Sequence, residues 1–401
     1  MNDCQTKVKR WDVIIIGAGV VGCCIAWHLR RQRLRVLVIE AASRPATQST
    51  RFAAGFVGCL SGLHQPGWGK DHADIQFEGI AFYSELAQRT TRDIGFRHVG
   101  IAYLFLTDEG WARNEPAMEI SRCYGARVEL LSKTRAAEKL PFIAFDQVRA
   151  AVYLADGIRI RAGEAIAAVA AEAAADGVEF MYNVAVSELL REGNHATGVV
   201  TNAGPFYAST IVIAAGAWTQ PLLARHGISC PVRPTIETRF TTPAIPGISP
   251  CMPMLIFRDW QRFYIREESG GLLIGGGDHL PNQAGNHVDV DLPPTVDRIS
   301  PGGAHRIRDL LREIEHVMPV LRDVRVGEIG SGLPTFTEDR LFIVDELPDY
   351  HGIYVFAGCQ EAGVTHGPGL GRRVAEWIVT RRRPPQLNEF RMSRFASSQA
   401  T

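Results

Sequence analysis

The stretch Asp12-Val13-Ile14-Ile15-Ile16-Gly17-Ala18-Gly19-Val20-Val21-Gly22 decides how this sequence is read. Residues 13–16 form a β-branched run, which suits a strand buried on both faces of a parallel sheet. Three glycines follow in the pattern GxGxxG. Residues 23–31 then read as a helix with Ile25, Ala26 and Leu29 on one side. A second apolar strand, residues 35–39, ends at Glu40, 21 positions after Gly19. A glycine motif between strand and helix, with an acid closing the next strand, is the fingerprint of a dinucleotide site. Gly17 permits the tight turn, Gly19 lets the backbone approach a pyrophosphate, and Gly22 lets helix and strand pack closely. The helix N-terminus offers free N–H groups and partial positive charge to the phosphates. Glu40 is placed to accept hydrogen bonds from the adenosine ribose, and its charge disfavours the 2′-phosphate of NADP. The motif does not separate NAD from FAD.

The composition narrows the partners. Lys+Arg and Asp+Glu are both 43, so the chain carries no net charge and has no broad electrostatic attraction to nucleic acid or an anionic membrane. A small-molecule partner is expected. Hydrophobic residues at 46% exclude a disordered or collagen-like chain. The apolar stretch 13–21 is shorter than the ~20 residues that span a bilayer. It lacks a small-residue cleavage site, and Arg30, Arg31, Arg33 and Arg35 soon follow, so the expected compartment is the cytoplasm. The eight cysteines are scattered without a CxxC pair, which argues against zinc and cysteine-ligated clusters. They read as reduced thiols.

Three further segments bear on the cofactor. Residues 41–56 form a polar loop closing on Ala53-Ala54-Gly55, where small residues at a helix start would allow close approach of a large ligand. Residues 178–186 read as a strand, followed by a hairpin-like pair and then Thr210-Ile211-Val212-Ile213-Ala214-Ala215-Gly216. Near the C-terminus, the strand 353–357 runs into a second glycine-rich junction, residues 358–369, before another helix.

Together, residues 17–22, Glu40, residues 49–55, residues 211–216 and residues 358–371 resemble the FAD-dependent D-amino-acid oxidase superfamily, in its glycine oxidase, sarcosine oxidase and opine or hydroxyproline dehydrogenase branches. The resemblance implies a Rossmann-like α/β FAD-binding domain, discontinuous in sequence, capped by a mixed-sheet α+β substrate domain. It assigns Val20, Val21 and Gly22 to the pyrophosphate and Glu40 to the ribose, and counts Gly17, Gly19 and Ala41 among the cofactor-binding residues. Ser49, Thr50, Arg51, Ala54 and Gly55 would lie on the flavin side. Val184 would meet the adenine through its backbone, and Ala215 and Gly216 would pass under the cofactor. Gly363, Val364 and Thr365, at a helix N-terminus, would sit at the pyrimidine edge of the flavin, where reduction builds negative charge. Gly332 stands where sarcosine oxidase-like sequences carry the cysteine that attaches flavin, so non-covalent FAD is expected. Leu333 stands where glycine oxidase-like sequences place a carboxylate-binding arginine.

Residues 1–70, 150–230 and 325–401 are assigned to the FAD-binding domain, and 71–149 and 231–324 to the substrate domain. In the latter, residues 75–86 and 301–316 read as amphipathic helices, and residues 263–266 and 271–277 as strands joined by a turn at 267–270.

A flavin that oxidises an amine takes the α-hydrogen as hydride at N5, so the protein must hold the substrate carbon over the ring. No side-chain base is required, and no catalytic residue is assigned. Tyr264 occupies the family's substrate-facing strand position, against the competing reading of an ordinary core tyrosine. Arg258 and Arg262 could fork a substrate carboxylate, against the reading of solvated charges. Arg51 could act on substrate or flavin, or form a plain salt bridge. Gln360 and Glu361 are candidates to face the site, and His366 is the histidine best placed to near the cofactor. The expected activity is oxidation of a C–N bond of an amino acid or secondary amine to an imine that hydrolyses, with O2 or a dye or quinone chain taking the electrons. Two alternatives stay open: oxidation of a 2-hydroxy acid, and a flavin-carrying subunit active only with a partner.

Overall fold

The computed structural model describes residues 9–59, 69–258, 263–276, 309 and 311–399. The β-branched run lies in the strand Arg10–Ile16, and Val13, Ile14 and Ile15 are essentially without solvent contact. It sits inside an eight-stranded sheet whose central path is Glu179–Met181, Val36–Ile39, Arg10–Ile16, Gly204–Ile213 and Ile353–Ala357, all parallel. Strands from the start, middle and end of the chain thus share one sheet. One of its faces is covered by the helices Val20–Leu29, Ala162–Ala175 and Gly363–Thr380.

The first helix begins at Val20, not Cys23, because Gly19 already serves as its N-cap. It is buried nearly all round, so it shows no amphipathic stripe. Residues 178–186 are not one strand. Glu179–Met181 forms the sheet edge, Asn183 breaks the run with φ +59°, and Val186–Glu192 starts an antiparallel ladder with His195–Thr201. The helix read at 301–316 lies mostly outside the described residues; 309 and 311–314 are helical.

The second sheet also has eight strands, in the order Ile329–Gly332, Glu237–Thr241, Gly271–Gly276, Phe263–Glu268, Met254–Phe257, Ile101–Phe105, Ala150–Leu154 and Val128–Leu130. It is mixed, because Met254–Phe257 runs parallel to Ile101–Phe105 while the other pairs are antiparallel. The hairpin 263–276 turns tightly at Ser269 and Gly270. Two elements fall differently from the sequence blocks. Ala150–Leu154 and Ile329–Gly332 belong to this sheet, since their ladder partners are Ile101–Phe105 and Glu237–Thr241. The helix Lys70–Arg89 packs on Gly363–Thr380, with Tyr83 donating to the Val364 carbonyl at 3.0 Å. No helix among the described residues is long and apolar enough to cross a membrane.

Candidate active site

A cavity of about 330 Å³ opens where the two sheets meet. At one end lie Gly19, Val20 and Val21, the start of the first helix, with Gly216 beside them. Gly363, Val364 and Thr365, the start of the long C-terminal helix, line it as well. Two helix N-termini therefore face one cavity, and each presents N–H groups to negative charge.

The glycine turn is built as the motif demands. Gly17 has φ +102°, and Gly22 packs so closely that a Cβ there would stand 1.9 Å from the Gly17 carbonyl oxygen. Neither glycine lines the cavity; they shape the turn that carries Gly19. Glu40 accepts from the N–H of Ala18 at 2.7 Å and of Ala42 at 2.8 Å. Burial pushes its carboxyl upward, and these N–H groups oppose that. Ala41 is exposed beside it. Val184 donates its N–H to the Glu40 carbonyl at 3.0 Å, so the two residues expected at the adenosine end lie together.

Ser49 and Thr50 lie in the short helix Ser49–Phe52, and both line the cavity. Thr50 Oγ1 accepts from the Val20 N–H at 3.1 Å, and Ser49 Oγ accepts from the Leu333 N–H at 3.0 Å. Ala53, Ala54 and Gly55 follow the end of this helix instead of starting one, because the chain leaves it at Ala53 in extended conformation. Ala54 lines the cavity, while Gly55 packs beneath it on Ile160. Arg51 is a correction: its side chain does not line the cavity but lies exposed, 3.7 Å from Glu328. Ala215 likewise precedes the cavity wall without lining it.

The opposite wall comes from the second sheet. Tyr264, Arg258, Glu237 and Tyr103 line it, together with Gln360 and Glu361 from the C-terminal loop. Arg258 stands at the end of the strand Met254–Phe257, with its guanidinium 5.5 Å from the centroid of the Tyr103 ring. Burial lowers its pKa, while Tyr103 and Glu361 hold the charge on. Burial and the Glu361 carboxylate push the Tyr264 phenol up, so it stays neutral and can donate a hydrogen bond. Phe56 packs edge-on to Tyr264, ring centroids 5.6 Å apart. Arg262 lies outside the described residues. His366 does not line the cavity; it is fully buried against Phe342 and pulled down to about 3 by desolvation. Tyr103 and Glu237 were not singled out from sequence. Tyr103 sits in an apolar run, Ile101–Phe105, whose only hint was one polar atom among buried neighbours.

The residues present fit a flavin dinucleotide. Gln360, which lines the cavity, buries its Oε1 without a hydrogen-bond partner among the described residues, and so do Thr47 Oγ1 and Gln48 Nε2 in the loop that leads into Ser49. Such orphans are costly unless a ligand satisfies them. A Cβ at Gly216 would meet nothing within 4 Å, which leaves that side of the cavity open.

The model of the family described as FAD dependent oxidoreductase (DAO) matches residues 12–377. The chain belongs to this family. FAD is the family's cofactor. The chain is 28% identical over 388 residues to glycine oxidase of Geobacillus kaustophilus, covering 96% of this chain and 97% of that protein. The crystal structure of glycine oxidase from that organism superposes with a TM-score of 0.79 at 27% identity, covering 96% of this chain and 99% of that one. L-proline dehydrogenase from P. horikoshii gives a TM-score of 0.84 at 22% identity, over 98% of this chain and 99% of that one, and shows the same fold. Another relative is 4-methylaminobutanoate oxidase (formaldehyde-forming) of Paenarthrobacter nicotinovorans, 26% identical over 373 residues. The match covers 92% of this chain but 43% of that protein, so the chain spans less than half its length.

Proposed function

We propose that this oxidoreductase oxidises the C–N bond of an amino acid or N-alkyl amino acid. The observation that carries the reading is the placement of Arg258 and Tyr264 on the wall of the cavity that begins at the glycine turn and the two helix N-termini. FAD, when bound, would accept the substrate's α-hydrogen as hydride. The relatives support an amine or amino-acid substrate: two are named for glycine and 4-methylaminobutanoate oxidation.

The chain's own residues do the rest. Gly19, Val20, Val21 and Glu40 would hold the pyrophosphate and ribose. Gly363, Val364 and Thr365 would bring helix N–H groups to the flavin's pyrimidine edge and favour negative charge there. Arg258 would pair with the substrate carboxylate, for which a half-buried guanidinium is a strong partner. Desolvation lowers its pKa, and Tyr103 and Glu361 oppose that shift. Tyr264 would donate one hydrogen bond and, with Phe56, keep water from the reacting carbon. The substrate loses hydride and its amine proton, the resulting imine takes up water, and carbonyl and amine leave. Gly332 offers no side chain to attach flavin, and a Cβ there would stand 3.2 Å from Ser49 Cα and 3.3 Å from Phe52 Cβ, which supports non-covalent binding.

The test is anaerobic mixing of the yellow holoprotein with N-methyl, cyclic and primary amino acids, and with 2-hydroxy acids. Bleaching of the flavin by an amine-bearing member of the panel is expected. Bleaching by hydroxy acids alone would replace the reading, and colour retained in an acid precipitate would refute non-covalent binding.

A further inference from the structure

Two arginines of the second sheet reach across to the main chain of the first half. Arg239, in the strand Glu237–Thr241, donates from Nη2 to the Arg51 carbonyl at 2.9 Å and lies 5.7 Å from the Phe52 ring centroid. Arg266, in the strand Phe263–Glu268, donates from Nε to the Ala54 carbonyl at 2.6 Å. Those carbonyls leave the C-terminal end of the helix Ser49–Phe52, where a helix has no partners of its own to offer. Arg266 is 2% exposed. It also donates to the Glu267 carbonyl at 2.8 Å and pairs with Glu268 at 2.7 Å. Glu268 is held in turn by Arg161 at 3.0 Å. A guanidinium this deeply buried is costly to desolvate unless its partners are fixed.

Both arginines belong to the neighbourhood of Tyr264. Arg239 pairs in register with Gly275, and Gly275 with Tyr264, so the three form one row across the sheet. Arg266 lies two residues beyond Tyr264 on the same strand, and alternation puts the two on the same face. Neither arginine lines the cavity. We propose that Arg239 and Arg266 are positioning residues that fix the spacing between the flavin-side segment 51–54 and the strand carrying Tyr264. The inference rests on the functional reading above only for what that spacing serves.

The test uses five proteins: wild type, Arg266→Met, Arg266→Lys, Tyr264→Phe and the double variant of Arg266→Met with Tyr264→Phe. Three readouts are taken: FAD dissociation constant, visible circular dichroism of the bound flavin, and thermal midpoint. Arg266→Met is expected to change the visible dichroism while FAD affinity changes by less than about threefold, since the pyrophosphate turn is untouched. Arg266→Lys, which keeps the Glu268 pair, should recover part of the wild-type spectrum. Should Arg266→Met fail to fold, Arg266→Lys still carries the prediction as a smaller change of the same sign. In the double variant, the effect of Tyr264→Phe on the spectrum should shrink, because coupled residues are non-additive. A lowered thermal midpoint with the wild-type spectrum and full additivity would overturn the proposal and leave a purely structural ion pair. A silent Tyr264→Phe in the wild-type background would instead remove Tyr264 from the flavin and overturn the functional reading.

Discussion

The Tyr264 phenol lies flat across Gly275 of the neighbouring strand, so close that a Cβ at residue 275 would stand 2.3 Å from its Oη. A side chain of any size at 275 would lift the ring toward the cavity. Gly275 therefore sets where Tyr264 can be, although it touches nothing in the cavity itself.

Gly275→Ala is expected to displace the Tyr264 ring at little cost in fold, because the clashing atoms are the end of a side chain that can rotate. The flavin reduction rate should fall by about tenfold, roughly 1.4 kcal/mol. Thermal stability should fall by less than about 1 kcal/mol. Anaerobic stopped-flow reduction beside a melting curve checks it; an unchanged rate would place Tyr264 away from the chemistry.

Glu40→Ala removes an acceptor expected at the ribose and leaves the N–H groups of Ala18 and Ala42 without their carboxylate. A charged hydrogen bond contributes about 1.5–3 kcal/mol, so FAD affinity should drop by roughly one to two orders of magnitude. Flavin fluorescence titration of the folded apoprotein measures this. Parent-like affinity would take Glu40 off the ribose.

Glu78 of the helix Lys70–Arg89 accepts from Arg372 at 2.7 Å and from Arg373 at 2.8 Å on the helix that begins with Gly363. Burial alone would raise its carboxyl, but the two arginines win and hold it below its ordinary 4.5. A lowered folded-state pKa contributes stability that is present above the ordinary value and lost as pH falls through the folded one. Glu78→Gln should cost about 1 kcal/mol at pH 7, a modest figure because the pair is partly solvated. The difference from the parent should close below pH 4.5. Melting curves at stepped pH test it; a gap that stays constant into acid would mean the charge is not what ties the helices.

The sequence was most informative where backbone chemistry decides the structure. The β-branched run 13–16 and the glycine turn each have a local physical requirement and occur where it puts them, and Glu40 lies against that turn, accepting from the Ala18 N–H. The helix start at Gly363 was legible for the same reason. The cavity wall carried by the second sheet was harder. Arg258 and Tyr264 could be named from sequence, but Tyr103 comes to Arg258 only through the parallel pairing of Ile101–Phe105 with Met254–Phe257. That pairing is a long-range event with no local signature. Arg51 has two open readings in the sequence, and the structure favours the salt bridge: Ser49 and Thr50 line the cavity, while the Arg51 side chain lies 3.7 Å from Glu328. Arg239 and Arg266 looked like ordinary strand charges until the sheet was folded against residues 51–54.

Arg258→Met is the most direct test of one site that joins a flavin cradle to a carboxylate-binding wall. Wild type and variant are reduced anaerobically over a range of concentrations of an amino acid that bleaches the parent. The account predicts an apparent dissociation constant raised by at least about tenfold, near 1.4 kcal/mol, with unchanged FAD content. An amine lacking the carboxylate should reduce both proteins alike. A variant that binds the amino acid as tightly as the parent would contradict the account.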